Sequence, residues 1–187
     1  MLSWEELETE CMNCTRCGLC QTRKNVVFGV GNKRADILFV GEGPGEQEDI
    51  QGEPFVGPAG KLLDDMLSII DLNRQNCYIA NIVKCRPPQN RDPQDIEQDA
   101  CIAFLRNQVA LIRPKIIVCL GRIAAKRLIN QDYRITREHG RWICSNGVWM
   151  TAIYHPSALL RDAGKRPDTF EDLLSIRDKL REVHAQI

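Results

Sequence analysis

Short apolar runs alternate with amphipathic stretches along this chain, and the alternation predicts strands and helices in turn. Ala35 to Val40 reads as a fully buried strand that stops at Gly41-Glu42-Gly43-Pro44-Gly45. Gly60 to Ile70 then carries Leu62, Leu63, Met66, Leu67 and Ile70 at helical spacing. A second strand runs from Tyr78 to about Val83, a loop rich in proline and asparagine spans Arg86 to Asp92, and a long helix fills Pro93 to Ile112. Lys115 to Leu120 is a third buried strand, followed at Gly121 by a helix to about Ile129. Arg141 to Cys144 and Val148 to Tyr154 flank Ser145-Asn146-Gly147, where the Asn-Gly pair predicts a tight hairpin. The second arm ends at His155-Pro156-Ser157, and an amphipathic helix covers Asp168 to Ala185. At the other end Ser3 and Glu6 form a capping-box pattern that starts a helix from Trp4 to about Met12.

Strands alternating with helices predict an α/β fold: three α/β/α layers around a central, mainly parallel four-stranded sheet, with an N-terminal cysteine-rich helical segment. No internal repeat or low-complexity linker is evident in the 187 residues, so one domain over 1–187 is expected, with residues 1–34 packed on it as the cysteine-rich segment. Gly41 to Gly45, Asn81 to Cys85, Gly121 and His155-Pro156-Ser157 all fall at or just past the carboxyl ends of predicted strands. In open parallel sheets ligands bind at that edge, so these polar loops are expected to converge on one crevice.

Composition narrows the function classes. A 43% hydrophobic and 27% charged chain is ordinary for a globular domain, and no apolar run approaches the roughly 20 residues a membrane helix needs. The opening Met-Leu-Ser-Trp-Glu-Glu-Leu is acidic where a signal peptide would be basic, so a cytoplasmic location with no membrane association is expected. Formal net charge is zero, which argues against coating nucleic acid through bulk electrostatics; any DNA footprint must be local. Lys84, Arg86 and Arg91 in one stretch and Arg161, Lys165 and Arg166 in another are the candidates.

Nine cysteines are wrong for a disulfide framework in a reducing compartment, and metal is the better explanation. Cys11, Cys14, Cys17 and Cys20 repeat at Cys-x2-Cys spacing, which lets neighbouring thiolates reach one centre. These four can hold zinc or a cluster by themselves, or two of them can join Cys85 and Cys101. Cys77, Cys119 and Cys144 lie in apolar strand patterns and read as small buried hydrophobes. Cys85 precedes Arg-Pro-Pro in an exposing loop, and Cys101 lies on the helix returning from it.

Several segments, in order, resemble family 4 uracil-DNA glycosylases over nearly the whole chain. They are Cys14-Thr-Arg-Cys17, Val27-Phe-Gly-Val-Gly-Asn32, Gly41-Glu-Gly-Pro-Gly-Glu-Gln-Glu-Asp49, Pro54-Phe-Val-Gly-Pro-Ala-Gly60, Asn81-Ile-Val-Lys-Cys-Arg-Pro-Pro-Gln-Asn-Arg91 and His155-Pro-Ser-Ala-Leu-Leu-Arg161. The resemblance implies a monofunctional hydrolase of base excision repair that removes uracil from single- or double-stranded DNA and acts as a monomer. It also implies a [4Fe–4S] cluster held by Cys14, Cys17, Cys85 and Cys101, which leaves Cys11 and Cys20 as extras.

Such an enzyme must extrude the nucleotide into a pocket. By the resemblance Phe55 stacks on the base, Asn81 reads its edge, His155 donates toward O2 of the departing uracil, and Gly43 and Gly45 allow close backbone approach. Glu42, with Glu48 second, is the carboxylate expected to position water; Gly43 stands where some other glycosylase families place an aspartate. Leu159 is the expected wedge in the vacated duplex, Arg161 and Ser157 contact phosphate, and Arg86, Asn90 and Arg91 line the DNA side. An iron–sulfur redox or electron-transfer protein would leave Phe55, Asn81 and His155 idle. A relative that binds uracil-DNA tightly without turnover would want a histidine after Cys85, and none lies between Arg86 and Asp99. A zinc-dependent nucleotide hydrolase would need a histidine–carboxylate ligand set that is missing.

Overall fold

The computed structural model describes residues 2–185. In chain order the elements are α1 (Trp4–Met12), β1 (Val30–Gly31), β2 (Ile37–Gly41), α2 (Glu46–Gln51), α3 (Pro58–Ile69), β3 (Tyr78–Asn81), α4 (Asp95–Ile112), β4 (Ile116–Leu120), α5 (Arg122–Leu128), α6 (Ile135–Glu138), β5 (Ile143–Ser145), β6 (Val148–Ile153), α7 (Pro156–Arg161) and α8 (Arg166–Ala185). The predicted capping box is present, with the Glu6 amide donating to the Ser3 hydroxyl and the Ser3 amide to the Glu6 carboxylate. Asn146 and Gly147 both adopt positive φ (50° and 81°) as the two-residue loop between Ser145 and Val148, the geometry the Asn-Gly pair predicts.

The strands form one sheet of six, in the order β1-β3-β2-β4-β6-β5, rather than the expected four. The parallel four, β3-β2-β4-β6, are the expected core of the sheet. Two antiparallel edge strands extend it. β1 is only Val30–Gly31, too short for any periodic signal, and β5 is an exposed arm whose Cys144 faces solvent, against the buried reading of that thiol.

Side chains alternate across the sheet and build two cores. Leu38, Val40, Ala80, Ile117, Cys119 and Ala152 face α1, α4 and α5, together with Leu7, Cys11 and Leu19 of the N-terminal segment. Ile37, Phe39, Ile79, Val118, Leu120 and Ile153 face α3, α7 and α8. Three layers result, as the pattern predicts, and the cysteine-rich segment contributes Leu7, Cys11 and Leu19 to the first core.

Leu159, the expected DNA wedge, belongs to the second core: it is 1% exposed, whereas its neighbour Leu160 is 47% exposed. A one-residue step on a helix turns a side chain by 100°, which the sequence Ala-Leu-Leu cannot phase without knowing which face packs. Leu159→Ala is expected to cost about 2–5 kcal/mol of unfolding free energy. Leu160→Ala should stay within about 0.5 kcal/mol. Denaturant melts of both variants check the assignment.

Candidate active site

The parallel strands deliver their carboxyl ends to one edge, and strand order reverses between β2 and β4, the switch point at which open sheets bind ligands. A cleft of about 530 Å³ opens there. Its walls include Glu42, Gly43, Gly45, Glu48, Phe55, Asn81, Asn90, Arg91, His155, Ser157 and Arg161. Of the candidates for base and DNA contact, Arg86 and Leu159 do not line it. Arg86 lies on the neighbouring loop with its Nε donating to Asn90 Oδ1 at 2.7 Å.

Phe55 and His155 meet at the centre, ring centroids 5.5 Å apart and tilted by 31°. Asn81, last residue of β3, is 2% exposed, and its Oδ1 has no hydrogen-bond partner among the described residues. A buried acceptor left unpaired costs about 1–3 kcal/mol, and a donor supplied by a ligand would return it. β2 pairs Gly41 directly with Asn81. A Cβ on Gly41 would lie 2.5 Å from Asn81 Oδ1 and 2.7 Å from the Phe55 ring, so this glycine keeps open the space between carboxamide and aromatic plate.

His155 caps α7. The Ser157 amide donates to its Nδ1 at 3.1 Å, and the Ser157 hydroxyl lies 2.7 Å from the same atom. An amide can only donate, so Nδ1 accepts and the ring proton sits on Nε2. Removal from water, with Arg161 nearby, lowers His155 to about 4, so the ring is neutral at pH 7. Ser157, expected on phosphate, has its hydroxyl on the imidazole.

Glu42 moves the other way: burial, with Asp92 adding to it against Arg122 and Arg161, raises its carboxyl to about 7. Glu48 behaves differently. Its Oε1 accepts from the amides of Val56 (3.1 Å) and Gly57 (3.4 Å). From outside the cleft Arg74 donates to the carbonyls of Pro54 (2.8 Å) and Phe55. Between these two clamps Phe55 is held at φ 53°, a left-handed conformation that a bulky residue adopts only when its surroundings impose it. Arg91, too, is engaged, in a bidentate pair with Glu97 at 2.7 and 2.9 Å.

The cleft also takes in residues that sequence reasoning did not place in it: Arg122, Tyr154 and Lys165, the last named only as part of a basic stretch, with Nζ 5.6 Å from the Tyr154 ring centroid. Tyr154 and Arg122 stand beside His155 and Gly121 at strand ends, and that adjacency was the available signal. Beside them His139 pairs with Asp172 at 2.7 Å and lies against Tyr154.

A second concavity is lined by Cys11, Cys14, Cys17, Cys20, Cys85 and Cys101, with Arg16, Arg23 and Lys84 beside them. The fold therefore brings both halves of the cysteine pattern together, six thiols in all. Arg23 Nη1 donates to Cys85 Sγ and the Lys84 amide to Cys101 Sγ, each at 3.3 Å. Burial pushes Cys11 up to about 12 and Cys85 to about 11, so as bare thiols they keep their protons at pH 7. Lys84, expected in a DNA-facing basic patch, is 1% exposed and points inward.

Residues 28–178 match the family model described as the uracil DNA glycosylase superfamily. A type-4 uracil-DNA glycosylase from Archaeoglobus fulgidus is 45% identical over 98% of this chain and 94% of its own length. The type-4 enzyme of Sulfurisphaera tokodaii is 42% identical over 95% and 85%. That of Thermotoga maritima is 46% identical over 80% and 79%. The chain belongs to the uracil DNA glycosylase superfamily, in its type-4 branch.

Glu48→Ala is expected to free the Val56 and Gly57 amides, raising their hydrogen exchange well above that of α3 while the sheet stays protected. Unchanged protection of the Phe55 segment would remove Glu48 from its clamping role.

Proposed function

We propose that this chain hydrolyses the N-glycosidic bond of uracil in DNA, releasing the free base and leaving an abasic site for base excision repair. The observation that carries the reading is the set of three groups around one cleft: the Phe55 plate, the unpaired Asn81 Oδ1 and the protonated Nε2 of His155. Stacking on Phe55 contributes about 1–3 kcal/mol toward extruding the nucleotide. Asn81 Oδ1 accepts from N3–H of uracil; cytosine presents an acceptor there and leaves both groups unmet at about 1–3 kcal/mol.

The C1′–N1 bond breaks with its electron pair going to the base, and His155 Nε2–H donates to the anionic O2. A neutral imidazole serves because it stabilises the anion without having to surrender its proton. Water adds to C1′ on the sugar and gives up a proton, for which Glu42 is the base; a carboxyl near 7 accepts it at working pH. Glu48 positions Phe55 through one carboxylate oxygen while lining the same cleft, and it stands second to Glu42 for holding the water. Gly43 and Gly45 give the base close access to backbone. Asn90, Arg91 and Arg161 face the DNA strand from the cleft wall, Arg86 holds Asn90, and exposed Leu160 replaces Leu159 as the apolar side chain able to fill the gap.

The cysteine cavity suits a [4Fe–4S] cluster on Cys14, Cys17, Cys85 and Cys101. Among the described residues no three His, Cys, Asp or Glu side chains are arranged to hold a single metal ion, yet the thiols ring one space, as a polynuclear core requires. The N–H groups of Arg23 and Lys84 on Cys85 and Cys101 match the hydrogen bonds that cluster sulfurs accept. When bound, a cluster supplies a crosslink between the N-terminal segment and the Cys85 loop. Free thiols in this number suit the reducing cytoplasm. Among the described residues no helix is long and apolar enough to cross a membrane. The catalytic unit is read as one domain acting as a monomer on uracil in either single- or double-stranded DNA.

Incubation with a uracil-containing oligonucleotide followed by alkali should cut the strand at uracil, and an intact strand sinks the reading. Asn81→Asp should admit cytosine, seen as cleavage at cytosine sites; retained preference for uracil would take the base-reading role from Asn81. For pH, Glu42 must be ionised to act, so kcat/KM should rise about tenfold per pH unit up to about 7 and then level off. His155, neutral above about 4, adds no limb in that range. Glu42→Gln should flatten the profile and lower the rate about 100-fold or more.

A further inference from the structure

We infer that Lys84 is the internal counter-ion of the cluster, a buried ammonium placed to offset the negative charge of the cysteine-bound iron–sulfur core and to raise its reduction potential. The inference rests on the cluster reading given above.

Lys84 follows Asn81-Ile82-Val83 out of β3 and immediately precedes Cys85, and it is 1% exposed. Its Nζ donates to Gln108 Oε1 at 2.7 Å, and Gln108, itself fully buried, is oriented by donating to the Phe28 carbonyl at 2.9 Å. The Phe28 ring centroid lies 5.9 Å from Nζ. All of these partners are neutral. Among the described residues no carboxylate pairs with this ammonium, and Lys84 lines the concavity that the six thiols surround. Taking an ammonium out of water costs several kcal/mol unless an opposite charge is close. A structural lysine would sit beside an acid, and a DNA contact would sit at the surface; Lys84 does neither.

The opposite charge is available on the cavity side. A cationic iron–sulfur core held by four thiolates is net negative and becomes more so on reduction. Lys84 touches that site through its backbone as well, its amide donating to Cys101 Sγ at 3.3 Å. A fixed positive charge favours the more negative, reduced state, so its removal should lower the potential and weaken retention of the core.

The test uses purified holoprotein and reads iron and sulfide content together with the midpoint potential by spectroelectrochemistry. Lys84→Met, nearly isosteric and uncharged, should shift the potential to lower values and lose iron faster to a chelator. Lys84→Arg, bulkier but charged, should stay closer to the parent in both. Packing alone predicts the reverse order, and a Met variant with parental potential and iron beside a damaged Arg variant overturns the proposal. Should both come without iron, Gln108→Glu decides: its carboxylate neutralises the ammonium in place and should lower the potential, whereas an unchanged potential refutes the counter-ion role. Absence of iron and sulfide from the parent protein would instead strike the cluster reading itself.

Discussion

Glu42, Asn81 and His155 hang from the carboxyl ends of parallel strands or from the residues just past them, Phe55 reaches the same edge from the connection between α2 and α3, and the ladder between those strands holds the cleft in place. Gly41 pairs with Asn81 across β2 and β3, and Leu120 with Ile153 across β4 and β6, so Asn81 and His155 are aimed from backbones that cannot slide independently. A slip of one residue would turn Asn81 to the opposite face of the sheet, away from Phe55. The buried apolar strands on both faces make such a slip costly, since each would carry its core side chains to the wrong layer.

Within that frame, burial sets the protonation of the two acid–base groups in opposite senses. Both His155 and Glu42 are half-buried in the cleft wall, and desolvation favours the neutral form of each, so the imidazole falls to about 4 while the carboxyl climbs to about 7. The pair is thereby divided into a neutral donor and a carboxylate able to take a proton near neutrality. Phe55 is positioned by a comparable use of cost: its left-handed backbone is unfavourable alone and persists because Glu48 and Arg74 grip the adjoining peptides from two sides.

The cysteine-rich segment is coupled to this machinery by chain continuity. Asn81 and Cys85 stand at the two ends of a five-residue stretch, so whatever anchors Cys85 also fixes the strand end that bears the carboxamide. Leu7, Cys11 and Leu19 enter the same core as Leu38 and Val40, which makes the segment part of one hydrophobic layer with the sheet. Lys84 lies between Asn81 and Cys85, inside that layer and 1% exposed.

The amino-acid sequence by itself determined the layer order, the parallel four strands, the Ser3 and Glu6 cap and the Asn-Gly hairpin, because each depends on local periodicity or turn chemistry. It also brought the site loops to one edge, since parallel strands have only one carboxyl side. The facing of individual side chains was decided by tertiary packing. Leu159 and Leu160 are chemically identical neighbours, and only the contact of α7 with the second core separates an interior residue from an exposed one. Lys84 reads as surface charge until α4 presents Gln108 to it, and the hold of Glu48 on the Val56 and Gly57 amides likewise appears only once the loop has folded back. These are contacts between residues distant in sequence, and their geometry does not exist until the chain has folded.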